Sequence, residues 1–331
     1  MTLALLVEWA IKSIIIIVII LGGFAYLTYI ERRVLARMQS RIGPNRAGPL
    51  GLLQPVADGI KLIFKEELIP ADADKLLFIL APVITVIPAL ILLAVVPFGP
   101  PLGPYEQGLA AGVDIGILYI MAVSSIAVYG IVIAGWASNN KYALLGGLRS
   151  SAQMVSYELA LGLGFVGPIL LAGSLNVDVI VSGQQHLWYV ILQPIGFFIF
   201  LVASVAEVNR APFDMPEAEQ ELVAGYHVEY SGMKFALFFM AEYGKMIAVS
   251  FVIATLFLGG YWGPFVTQVP LLGPLYLGAK VLALLLFMIW IRATLPRFRY
   301  DQLMAFNWKF MLPLALLNVA VTGLIVVAMG G

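Results

Sequence analysis

Apolar residues in this chain come in long, nearly unbroken runs rather than in short periodic segments. The first, about 9–30, is long enough to cross the roughly 30 Å apolar core of a bilayer as one helix. Further runs lie near 76–97, 112–136, 152–173, 187–207, 233–258, 275–293 and 310–328. The pattern predicts an all-α polytopic membrane protein of about eight transmembrane helices, a single membrane domain over 1–331. The first run lacks a basic front end and a small-residue cleavage site, so it reads as a retained span rather than a signal peptide.

The polar stretches between the runs have their own patterns. In the first internal loop, 31–75, residues Leu52, Leu53, Val56, Ile60, Ile63 and Phe64 recur at three- and four-residue spacing, with Asp58, Lys61 and Lys65 off that stripe. This predicts an amphipathic helix lying on the membrane surface, or packed on a partner protein, or both. Before it, RIGPNRAGPLG mixes Gly, Pro and Arg, which suits a rigid irregular segment whose guanidinium groups meet carboxylates.

Composition excludes a soluble domain: only 11% of the residues are charged and 61% are apolar, where soluble domains carry about 25% charge. The net charge is zero and points to no nucleic acid; its placement says more. Of the 19 basic residues, 16 fall in alternate loops, and the loops near 98–111, 174–186 and 259–274 contain none. Basic loops stay inside, so both termini are expected outside. The absence of Cys removes iron–sulfur ligation, c-type haem attachment and disulfides. His186 and His227 are the only histidines, and this topology puts them on opposite sides.

Candidate chemistry concentrates in an acidic internal loop, 207–232, where Glu207, Asp214, Glu217, Glu219, Glu221 and Glu229 surround Arg210. Acids this dense repel one another and bind protons more tightly, more so where hydration is poor. A solvated acidic loop is the plainer reading, but Pro, Phe, Leu, Val and Tyr interleave the charges. Within the spans, Glu158 has no basic neighbour one turn away and is a candidate proton site, while Glu242 and Lys245 share a helix face and read either as an internal ion pair or as groups on a water-filled path. Pro82, Pro88, Pro168, Pro194 and Pro313 predict kinks. Gly162, Gly164 and Gly167 satisfy GxGxxG but lie inside an apolar run, which reads as close helix packing.

Three segments now carry a resemblance: ERRVLARMQSRIGPNRAGPLGLLQPVADGIKLIFKE (31–66), GWASNNKYALLGGLRSSAQMVSYEL (135–159) and AEVNRAPFDMPEAEQELVAGYHVEYSGMKFALFFMAEY (206–243). They resemble the signature stretches of the quinone-site membrane subunit of proton-pumping NADH:quinone oxidoreductase, respiratory complex I. RATLPRFRYDQLM (292–304) is similar to that family's last internal loop. Met215 departs from the Leu more usual after PFD.

The resemblance implies a subunit without a redox centre of its own that joins a peripheral redox arm to the membrane arm of a translocase. Its partners would be the quinone-reducing and terminal iron–sulfur subunits, plus small and antiporter-like membrane subunits, in a bacterial inner membrane with the charged loops cytoplasmic. NADH, FMN and the iron–sulfur clusters would belong to those partners, and the substrate would be ubiquinone or menaquinone. By position, Arg32, Asp58, Lys61 and Arg292 would line the quinone cavity. Glu31, Glu158, Glu207, Glu217, Glu219, Glu221 and Glu242 would form the chain of acids coupling quinone reduction to proton pumping. Two other readings stand beside it: a stand-alone proton-coupled carrier, and a homologous component of a membrane-bound hydrogenase or other oxidoreductase with a different electron donor.

Overall fold

The computed structural model describes residues 3–102, 105–110, 112–215 and 219–328. Helix α1 spans Leu3–Met38, α2 Gln54–Phe64, α3 Lys75–Ile91, α4 Gly116–Ala137 and α5 Lys141–Ala172. Short helices α6 (Val177–Ser182) and α7 (Tyr189–Leu192) lead to α8 (Pro194–Glu207) and, in the acidic loop, α9 (Glu219–Leu222). Then come α10 (Gly232–Phe257), α11 (Leu272–Thr294), α12 (Tyr300–Phe306) and α13 (Leu312–Ala328). One antiparallel hairpin, β1 (Gly99–Leu102) and β2 (Tyr105–Gln107), pairs Gly99 with Gln107 and Leu102 with Tyr105.

Among the described residues, seven helices are long and apolar enough to cross a membrane. The remaining apolar run, 187–207, does not form a full-length helix. Gln193 takes φ −131°, ψ 58° between α7 and α8, and Pro194 starts α8 rather than kinking a longer helix. The 14 residues of α8 rise only about 21 Å at 1.5 Å each. Its C-terminal end therefore stops short of a full bilayer crossing, and the loop after it enters the protein interior.

Two other boundaries differ from the sequence reading in the opposite direction. Helix α1 runs past Ile30 to Met38, because RRVLARM holds no helix breaker and Gly43 and Pro44 come only later. Helix α5 starts at Lys141 rather than near 152; Asn140 caps it, its Oδ1 accepting from the Tyr142 N–H at 2.8 Å. Helices of 36 and 32 residues are about 54 and 48 Å long, so both project beyond the bilayer core.

Helix α10 is the centre of the bundle. Of its apolar window 72% is buried, against 22% for α1 and 17% for α12–α13, which turn broad apolar faces outward as lipid-facing helices do. Around α10 stand α3, α1 and α11, while α4, α5, α8 and α13 form a second row behind α3. Small residues let the rows close. A Cβ on Gly130 of α4 would collide with Thr85 Oγ1 of α3 and lie 3.0 Å from the Ala81 carbonyl oxygen. In the apolar GxGxxG run, Gly162 faces Met121, Gly164 faces Phe200 and Gly167 faces Gln193, as packing glycines do. Pro82 and Pro88 lie inside α3 and Pro168 inside α5. Pro313 follows a π turn, Asn307–Met311, where the proline has no N–H to offer the carbonyl four residues back.

Candidate functional site

The site starts at the inner end of α1, where Glu31 and Arg32 are consecutive and therefore about 100° apart around the helix. Arg32 points to α2: its Nη1 donates to Asp58 Oδ2 at 2.6 Å, and Lys61 Nζ lies 3.9 Å from Asp58 Oδ1. These three residues line one end of a groove of about 390 Å³ between α1, α2 and α10, whose apolar walls include Phe24, Phe239 and Met240. Arg292 does not line that groove. The stripe predicted on α2 is exposed, with Val56 54%, Ile63 60% and Phe64 84% accessible, so a bilayer or a partner covers it.

Glu31 points the other way, into the protein, and is almost fully buried. Its Oε1 accepts from Arg292 Nη1 of α11 and lies 3.4 Å from Arg210 Nη1. Arg210 Nε is in turn 2.5 Å from Glu242 Oε1 of α10, and the guanidinium sits 4.1 Å from the centroid of the Tyr243 ring. One arginine thus ties two carboxylates from two helices and stacks on an aromatic face.

Arg210 reaches this depth because α8 ends at Glu207. Asn209 adopts φ 58°, a left-handed conformation Asn tolerates better than most residues. Fully buried Gln153 of α5 donates from Nε2 to the carbonyls of Ala206 at 2.8 Å and Phe213 at 2.7 Å, closing the turn. The same turn leaves Glu207 at the C-terminal end of a helix, where the dipole disfavours a carboxylate. Lys245 Nζ, 2.9 Å from Glu207 Oε1, supplies the compensating charge. The expected Glu242–Lys245 pair is therefore replaced by two crossed pairs, Arg210–Glu242 and Lys245–Glu207. Although Glu242 and Lys245 share a face, Glu207 at the end of α8 and Arg210 in the turn after it lie closer to them. Three carboxylates and three cations balance, the condition under which charge is tolerated in the interior. A cavity of about 30 Å³ adjoins Glu207, Glu242 and Lys245, roomy enough for about one water or two.

The other acids are dispersed rather than clustered. Glu158 of α5 accepts from Ser125 of α4. In the acidic loop Glu221 pairs with Arg149 at 2.7 Å, and Glu229 accepts from Asn140 Nδ2 at 2.6 Å. The backbone carbonyl of Asp214 accepts from Arg297. Glu217 lies outside the described residues, as does the side chain of Glu219. Mutual repulsion is thus not the organising force among the described acids of the loop, since Glu207, Glu221 and Glu229 each face a basic or amide group. His227 is packed among Tyr226, Phe235 and Phe239, and burial lowers its pKa to about 4.

Gln153, Ser125 and Tyr243 belong to this arrangement without any signal in the sequence, being polar or aromatic residues whose role depends on which helices meet. Lys245 does carry one, as a lysine within an apolar run, although its partner differs from the one its spacing favours.

Comparison with known proteins covers the whole of this site. The family model described as NADH dehydrogenase matches residues 11–323. A protein of Thermomicrobium roseum, named as a subunit of NADH-quinone oxidoreductase, is 53% identical over 320 residues, 93% of this chain and 92% of its own. Subunit 8 of the enzyme so named in Thermus thermophilus is 54% identical over 96% of this chain and 86% of its own. A Geobacter metallireducens protein, also named as a subunit of that enzyme, is 50% identical over 98% and 97%.

Proposed function

The chain belongs to the NADH dehydrogenase family, and from that premise we propose that it walls the quinone cavity of a proton-translocating NADH:quinone oxidoreductase and couples quinone reduction to its carboxylates. The stand-alone carrier loses its ground, because the relatives similar over nearly their whole length are named as subunits of an oxidoreductase.

One observation carries the proposal. The consecutive residues Glu31 and Arg32 face two different compartments, the buried charge cluster on one side and the groove on the other. The groove fits a quinone: apolar walls suit an isoprenoid tail, and Arg32 and Lys61 are donors for carbonyl oxygens of a head group, with Asp58 holding both in place. The electrons come from NADH through FMN and iron–sulfur clusters of partner subunits, and the acceptor is ubiquinone or menaquinone. Charge arriving beside Arg32 acts on Glu31 next to it, and through the shared Arg210 on Glu242 and the Glu207–Lys245 pair. At an effective dielectric of about 20, a unit charge about 6 Å away alters a neighbour's energy by about 3 kcal/mol, enough to change its protonation. Such coupled acids respond as a group. Arg292 sets the poise of Glu31 from the far side, and Glu158, Glu217, Glu219 and Glu221 continue the series. The charged loops lie on the cytoplasmic face of a bacterial inner membrane, against the peripheral arm.

Photoaffinity labelling with an azidoquinone tests the groove in the assembled complex. Labelled peptides from α1, α2 and the start of α10 are expected. Labelling of this chain confined to other helices overturns the assignment.

A further inference from the structure

Glu207 and Glu158 lie on α8 and α5, and among the described residues no side chain bridges them directly. Three serines fill the interval. Ser204 is one turn before Glu207 on α8 and shares its face. Its side chain is fully buried, and among the described residues its Oγ has no hydrogen-bond partner. A buried hydroxyl left in that condition costs about 1–3 kcal/mol, so such groups generally meet a water. A cavity of about 10 Å³ adjoins it, bounded also by Ser124 of α4 and by Glu207. That is close to the smallest volume that seats one water, and three polar neighbours are what one requires. Ser124 lines the larger cavity beside Glu242 and Lys245 as well. Ser124 and Ser125 both donate to the Met121 carbonyl, at 3.0 and 2.8 Å, and Ser125 also meets Glu158.

We propose that Ser204, Ser124 and Ser125, bridged by buried water, form the proton link between Glu207 and Glu158. This rests on the reading of the acids as a proton path and names the part of it that carboxylates do not supply. In each hop a hydroxyl or water oxygen takes a proton on a lone pair and releases its own to the next oxygen. No atom or charge remains behind, so the serines need no shifted acidity. Rotation of the Ser124 and Ser125 hydroxyls away from the Met121 carbonyl resets the direction.

The test uses the assembled complex in proteoliposomes, with quinone reduction, proton uptake and the solvent deuterium isotope effect measured together. Ser204→Ala and Ser124→Ala are expected to lower proton translocation at least tenfold and to raise the isotope effect, while Ser204→Thr, which keeps a hydroxyl, retains most of the rate. Full pumping with an unchanged isotope effect in both alanine variants overturns the link, as does equal loss in Ser204→Ala and Ser204→Thr, which would mark a packing role. Glu207→Gln and Glu158→Gln run in parallel separate the two levels. If they pump normally, the acid path itself is wrong; if they stop pumping while the serine variants do not, only the serine link is wrong.

Discussion

Removing the cation from the Glu207–Lys245 pair is the sharpest perturbation of the buried cluster. Lys245 Nζ stands 2.9 Å from Glu207 Oε1, with the two side chains only 10% and 5% exposed. At that separation and an effective dielectric of about 20, the attraction is about 6 kcal/mol before desolvation is subtracted. Breaking such a pair typically costs about 3–5 kcal/mol, because one charge stays buried without its partner. Lys245→Met should therefore destabilise the chain by about 4 kcal/mol. Adding Glu207→Gln removes the stranded carboxylate, and most of the loss should return even though a second residue has been changed. The assay is the thermal midpoint of the assembled complex on native gels for wild type, the two single variants and the double. A coupling of about 2 kcal/mol or more is expected, and additivity within about 0.5 kcal/mol, the behaviour of independent sites, refutes the pair as an energetic unit.

Two further expectations follow from residues outside this cluster. Burial lowers the pKa of His227 to about 4 from an unfolded value near 6.5, so its neutral form is the one the fold accepts. Its contribution is complete above about pH 6.5 and is lost as pH falls toward 4, by about 2 kcal/mol at pH 5. His227→Phe should shrink the drop in thermal midpoint between pH 7 and pH 5, and an unchanged drop assigns the acid sensitivity elsewhere. Gly130→Ala places a methyl group against Thr85 and the α3 backbone. Since backbone cannot yield as a side-chain tip does, it should prevent stable accumulation of the chain, whereas Gly278→Ala, whose Cβ meets nothing within 4 Å, should accumulate normally.

Much of this architecture is legible in the sequence because bilayer physics is blunt. Uninterrupted apolar runs specify spans, and the amphipathic stripe of α2 survives into the structure as an exposed apolar face. What periodicity could not give is where α8 ends relative to the membrane, since Pro194 and the conformation of Gln193 shorten it from within an apolar run. That shortening determines the site, because it carries Glu207 and Arg210 inward. The pairing of charges escapes the sequence for a related reason. Spacing on one helix favours Glu242 with Lys245, but tertiary packing brings Arg210 to 2.5 Å of the one and Glu207 to 2.9 Å of the other. Likewise, Glu31 reads as the start of a loop until α1 is seen to continue through it. Ser204 and Gln153 are ordinary in any sequence; only burial and unfilled hydrogen-bonding capacity give them meaning.

The decisive experiment is proton translocation by Glu242→Gln in reconstituted, fully assembled complex. Glu242 is linked to the groove through Arg210 and Glu31, and the substitution leaves the groove-lining residues Arg32, Asp58 and Lys61 in place. Quinone reduction and proton translocation are expected to fall together, severalfold or more, while quinone affinity is nearly unchanged. Full rates of both, in complex of normal composition, would rule out coupling through the Arg210–Glu242 pair.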